Sequence, residues 1–66
     1  MKNKIKIERA INNLTQEDLA KKVGVSRQTI NAMEANKYVP STVLALKIAQ
    51  LFEKSVESIF LLDEND

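Results

Sequence analysis

Apolar residues recur along this chain at intervals of three and four, the spacing of helices with one buried face. Ile7, Ala10, Ile11 and Leu14 follow that rule and predict a first helix from about Lys4 to Asn13, with this stripe turned inward. Thr15 then caps a second helix. Gln16, Glu17 and Asp18 follow it, so acids sit at the positive end of the helix dipole, and Thr15 with Asp18 forms a variant capping box. Leu19, Ala20 and Val23 make the buried stripe of that helix, and Gly24 ends it in the left-handed conformation. Ser26 caps a third helix only two residues later, which buries Ile30 and Met33 and runs to about Ala35. Asn36 can take the left-handed conformation that closes it. A loop through Lys37, Tyr38, Val39 and Pro40 leads to Ser41, the cap of a fourth helix reaching about Phe52. A short fifth helix follows Ser55 and ends near Phe60.

One Gly, one Pro and three aromatic residues do not supply the turns of a sheet protein. The fold class is therefore all-α, a compact bundle of four to five helices. Alternation in Lys4-Ile5-Lys6-Ile7 and the run Phe60-Leu61-Leu62 leave open a small two-stranded sheet formed by the termini.

The stretch from Gln16 to Met33 carries the most information. Two helices joined by a tight turn touch at the corner, so a small residue is needed there, and Ala20 supplies it. The turn itself needs a residue without a Cβ, and Gly24 supplies that. Ile30 and Met33 then hold the second helix against Leu19, Val23 and Val25. This constellation is a helix-turn-helix. The segment LTQEDLAKKVGVSRQTINAMEANKYVPS, Leu14 through Ser41, closely resembles the lambda-repressor and Cro-like helix-turn-helix domains, the XRE family. The resemblance continues through ALKIAQLFEKSVESIF to Phe60, so the expectation is one domain over residues 1–66, a minimal stand-alone member with its motif at about 15–35.

What the resemblance implies is binding to double-stranded DNA at an operator. The second helix of the motif would lie in the major groove, where the outward residues Arg27, Gln28, Thr29, Asn31 and Ala32 would read bases. Arg suits guanine, Gln or Asn suits adenine, and a Thr or Ala methyl suits thymine. Phosphate contacts would fall at Thr15 and Gln16 at the start of the preceding helix, at Ser26, and at Lys37. Tyr38 serves equally well as a phosphate contact or as a ring packed over the loop. Arg9 and Glu34 match a pair that bridges the first and third helices of relatives, and a partly buried salt bridge is expected between them. Three departures from the family pattern involve four residues. Asn36 replaces a frequent Gly, Glu53 and Lys54 stand where Gly and an apolar residue are common, and Glu8 replaces a frequent apolar residue.

Composition narrows the partners. The chain has neither Cys nor His, which removes disulfides and the usual zinc ligands, and no metal or cofactor is expected. Chains this small usually gain stability from such staples or from a partner subunit. The fourth helix has two apolar stripes, Ala45/Ala49/Phe52 and Leu44/Ile48/Leu51. One would face the core. The other, Leu44, Ile48 and Leu51, with Phe60, Leu61 and Leu62, is the expected homodimer interface, within a dimerisation region at about 43–62. The alternative is that a broad face of this helix is buried within one protomer. A two-fold dimer would place two reading helices about 34 Å apart on a near-palindromic site.

The net charge of +1 conceals an asymmetry. Asp63, Glu64 and Asp66 hold three of the nine acids, so residues 1–62 carry ten bases against six acids. That balance permits nucleic-acid binding without requiring it. No apolar run approaches the roughly 20 residues of a membrane span, and no signal-peptide pattern follows the N-terminal lysines. The expectation is a cytoplasmic regulator of a bacterial or archaeal cell, with no small-molecule effector evident, acting as a repressor. Catalysis is disfavoured by the absence of nucleophile–base sets and of a glycine-rich phosphate loop. The remaining rival is a protein-interaction module, against which the polar face of Arg27, Gln28 and Asn31 speaks.

Overall fold

The computed structural model describes residues 1–66. Five helices and two short strands follow in the order β1 (Lys2–Asn3), α1 (Ile5–Ile11), α2 (Gln16–Val23), α3 (Arg27–Glu34), α4 (Thr42–Leu51), α5 (Val56–Ile59) and β2 (Phe60–Leu61). The starts of α2 to α5 follow from their caps. Thr15, Ser26, Ser41 and Ser55 each accept the backbone N–H three residues on, satisfying one of the donors that a helix start leaves free. At α2 the box is reciprocal, since the Asp18 carboxylate also accepts the Thr15 N–H at 3.0 Å.

One device closes α1 to α4. Asn13, Gly24, Asn36 and Glu53 all have positive φ. The next residue in each case donates its N–H to the carbonyl five positions back: Leu14 to Arg9, Val25 to Ala20, Lys37 to Ala32 and Lys54 to Ala49. This is the 6→1 bond of a Schellman cap, and it reverses the chain within two residues. Glycine meets the conformational demand only once. Asn13 and Asn36 tolerate it through their short side chains, whereas Glu53 holds the left-handed conformation with an ordinary long side chain.

The core forms where these reversals bring the helices together. Leu19, Ala20 and Val23 of α2 meet Ile30 and Met33 of α3, with Ile48, Phe52, Ile59 and Ile5 closing the other sides. Ala20 is fully buried at the α2–α3 corner, where a larger side chain would separate the two helices. On α4 the buried residues are Leu44, Ile48, Ala49 and Phe52, so both apolar stripes contribute to one broad buried face.

The terminal sheet is present, in a different place from the alternation Lys4–Ile7. Lys2 pairs with Leu61 and Asn3 with Phe60, antiparallel, and the Lys4 N–H reaches the Ile59 carbonyl at 2.8 Å. Asn3 then ties three elements. Its Oδ1 accepts the Ile5 N–H at the start of α1, and its Nδ2 donates to the Met33 carbonyl at the end of α3, at 2.8 Å. These bonds set the rotation of α1 and overturn its expected register. Ile5 enters the core, while Ile7 and Ile11 remain 57% and 64% exposed and Ala10 is exposed as well.

That rotation turns Glu8 and Arg9 inward, and each finds a counter-charge. Glu8 is only 4% exposed, and Lys54 donates to its Oε2 at 2.7 Å from the joint between α4 and α5. Two departures from the family pattern, 46 residues apart, thus explain each other. A carboxylate in an apolar position requires a cation, and the lysine provides it across the core's edge.

Removing Lys54 alone leaves a buried carboxylate without its partner. Lys54→Met is expected to lower unfolding stability by about 1–2 kcal/mol, less than for a fully buried pair because the lysine is half-exposed. Glu8→Leu combined with Lys54→Met should return to within about 0.5 kcal/mol of the parent, or exceed it. Urea unfolding of the two single variants and the double variant measures the coupling directly.

Candidate nucleic-acid interface

The tight turn at Gly24 projects α3 so that its inner face is locked and its outer face is free. Ile30 and Met33 are fully buried. Arg27, Gln28 and Asn31, one turn apart, are exposed and together line a shallow polar depression. Of the five residues expected to read bases, these three are presented side by side. Thr29 and Ala32 lie at the margins, half-buried. The Thr29 hydroxyl is also engaged, sharing a hydrogen bond with the Ser26 hydroxyl at 3.0 Å.

The expected phosphate residues flank this surface. Thr15 is exposed but its hydroxyl is committed to the cap of α2, and Ser26 is committed likewise to the cap of α3. Lys37 and Tyr38 are exposed immediately after α3. No exposed acid lies on α3. Its only carboxylate, Glu34, turns towards α1, where Arg9 Nε donates to Oε2 at 2.6 Å and Arg9 Nη2 to Oε1 at 3.0 Å. The two-pronged geometry matches the guanidinium fork to the carboxylate. Arg9 Nη1 also donates to the Leu14 carbonyl at 2.9 Å, fixing the α1–α2 turn.

Glu34 has a further partner. Gln16 Nε2 donates to its Oε1 at 3.2 Å, and the Gln16 Oε1 accepts from Asn31 Nδ2 at 3.4 Å. A chain of contacts therefore runs from the scaffold pair to the exposed face of α3. The sequence marked each of these four residues, but not the bonds that connect Gln16 to both Glu34 and Asn31. Burial raises the Glu34 pKa, yet hydrogen bonds from Arg9 and Gln16 and the Arg9 charge outweigh it, and the group settles below its ordinary value. Arg9 moves the opposite way, its guanidinium held more firmly protonated by the Glu34 hydrogen bond.

A second surface concerns assembly, and here the expected interface needs correction. Ile48 is wholly buried in the protomer's own core, with Leu44 and Phe60 nearly so and Leu51 half-buried. Leu44, Ile48 and Phe60 fill the protomer's own core, so they are not free to meet a partner, whereas Leu51 keeps part of its surface in solvent. Leu61 and Leu62 do reach solvent, Leu62 at 81% exposure. The exposed apolar residues near α4 are instead Val39, Val43 and Leu46, beside a groove lined by Pro40, Ala45, Leu46 and Val56. No helix is long and apolar enough to cross a membrane.

Comparison with known proteins agrees with this architecture. A family model described as helix-turn-helix matches residues 5–59. An uncharacterized HTH-type transcriptional regulator of Methanocaldococcus jannaschii is 59% identical over 66 residues, covering all of both chains. One from Archaeoglobus fulgidus is 52% identical, covering all of this chain and 93% of its own. The Bacillus subtilis regulator YgzD is 48% identical, again over the full length of both.

The Glu34 pKa has a consequence for stability. A carboxyl held lower in the folded state binds fewer protons there than in the unfolded chain, so its contribution is complete above the ordinary value of 4.5 and is lost as pH falls through the folded value. Thermal unfolding between pH 7 and pH 3 should show a falling midpoint below about pH 4.5. In Glu34→Gln the midpoint at pH 7 is expected to be lower and its decline with acid shallower.

Proposed function

The chain belongs to the XRE-type helix-turn-helix family and is a DNA-binding transcriptional regulator rather than an enzyme; on that premise we propose that it binds a near-palindromic operator as a homodimer and represses. In this reading α3 lies in the major groove. The observation that carries it is the joint exposure of Arg27, Gln28 and Asn31 on the first two turns of a helix whose opposite face is fully buried. A guanidinium and two carboxamides are the side chains that match guanine and adenine edges. The start of α2 and the Lys37–Tyr38 loop flank them, positioned for the two phosphate strands.

The dimer reading rests on two considerations. One recognition helix contacts too few base pairs to define a genomic site. Val39, in the loop after α3, and Val43 and Leu46, on α4, expose apolar surface, and a two-fold axis through it would pair two reading helices. We place the interface there, with exposed Leu61 and Leu62 as its continuation. Repression follows as the simplest output, since an occupied operator excludes other proteins without any further surface. A bacterial or archaeal cytoplasm is the setting this implies.

Selection from a random duplex pool tests the reading. The wild type is expected to enrich a motif of two inverted half-sites, and Gln28→Ala to lose the preference at one position of each half-site. Affinity for the selected site should fall steeply with salt, as phosphate neutralisation requires. Enrichment of nothing at low salt would instead favour a protein-binding module.

The interface is tested separately. Leu46→Glu should sediment as a monomer at micromolar concentrations where the wild type is a dimer. Its operator affinity is expected to drop by about 100-fold or more, because each half-site is then bound alone. A wild-type monomer, with or without DNA, contradicts the dimer.

A further inference from the structure

Glu34 is an anion, so its oxygens only accept hydrogen bonds. Arg9 occupies both oxygens, and Gln16 also meets Oε1. The Gln16 carboxamide must therefore turn its Nε2 towards Glu34. Its Oε1 is left facing α3, where only a donor is complementary, and Asn31 meets it with Nδ2. Each amide in this chain has its orientation dictated by the one before. The direction starts from a charge that cannot reverse.

We propose that Glu34, acting through Gln16, fixes which way round Asn31 presents its amide to DNA, and thereby makes Asn31 a reader of amino-bearing bases. With one Nδ2 proton on Gln16, Asn31 keeps Oδ1 and the second Nδ2 proton free. Oδ1 accepts from the exocyclic amino group of adenine or cytosine, and the remaining proton adds adenine N7. Guanine and thymine offer Oδ1 no donor in the major groove. An Asn on an unconstrained helix face could flip to suit either set. Here a flip would place Oδ1 against the Gln16 oxygen, and correcting that would place the Gln16 oxygen against the Glu34 carboxylate. Arg9 holds Glu34 in place and keeps it charged. Glu34 and Gln16 are thus positioning residues, and Asn31 is the group that would touch the base. The inference rests on the major-groove reading of α3.

The test is duplex selection with the full chain as wild type, Asn31→Ala, Glu34→Gln and Gln16→Ala. The wild type should prefer adenine, with cytosine second, at one position of each half-site, by about tenfold or more over guanine and thymine. Asn31→Ala identifies that position by relaxing it. Glu34→Gln, whose amide can donate as well as accept, and Gln16→Ala, which cuts the chain, should each reduce the same preference to about threefold or less. Preference at the Gln28 position should persist in both. Gln16→Ala leaves the Arg9–Glu34 pair intact, so it decides the matter if circular dichroism shows Glu34→Gln unfolded. Retained preference at the Asn31 position in a folded variant overturns the relay, even if overall affinity falls. Guanine or thymine at that position in the wild-type motif overturns it as well. A wild type that enriches no motif overturns the DNA reading itself, a result distinct from either.

Discussion

The structure depends on a carboxylate that lies at the junction of its scaffold and its exposed helix. Glu34 ends α3, and Arg9 grips it from α1 with two nearly parallel hydrogen bonds. Both side chains are largely withdrawn from solvent. Neither tolerates loss of the other, since a buried charge left unpaired costs about 3–5 kcal/mol. That is a large share of what a domain of this size has in reserve. The pair fixes the angle of α3 to α1, Arg9 fixes the turn into α2 through the Leu14 carbonyl, and Gln16 carries the same anchor to the start of α2.

A small core explains why polar groups have such weight here. Twelve buried apolar residues form the core, and none belongs to α1 beyond Ile5. Helix α1 is attached instead through Arg9–Glu34, Glu8–Lys54 and the Asn3 bridge to α3. Such bonds are directional, so they specify one orientation where a smooth apolar face would allow several. The cost is an exposed stripe of Ile7 and Ile11, which the same residues would have buried in a helix attached by apolar packing alone. The repeated left-handed caps serve the same end, reversing the chain sharply enough for eight-residue helices to share one core.

Where local chemistry decides an element, the sequence was legible. Thr15, Ser26, Ser41 and Ser55 announced four helix starts, and Gly24 with Asn36 announced two ends, because a cap acts over three or four residues. The corner at Ala20 and the inward pair Ile30 and Met33 were equally plain. What periodicity could not show was the rotation of α1, because its regular apolar stripe lost to two ion pairs and a strand pairing with residues 25 to 59 positions away. The oddities at Glu8 and Lys54 were visible separately; their opposite charges were the signal that joined them. On α4 the two apolar stripes exceed what a narrow seam needs, but the α5 return and the terminal sheet give the core enough width to take up most of both, so the second is not left free for a partner. On the exposed face of α3, residue types were legible and their mutual bonds were not, since Gln16 and Asn31 meet only after the turn has folded.

The central claim, that α3 with the start of α2 is the face that meets DNA, is tested most directly by following backbone and side-chain amides in a ¹⁵N-labelled sample as a selected duplex is added. The account predicts the largest shifts at Gln16, Arg27, Gln28, Asn31 and Lys37, with Ile7 and Ile11 on α1 unmoved. Shifts centred on the exposed face of α1, with Arg27 to Asn31 undisturbed, would contradict it.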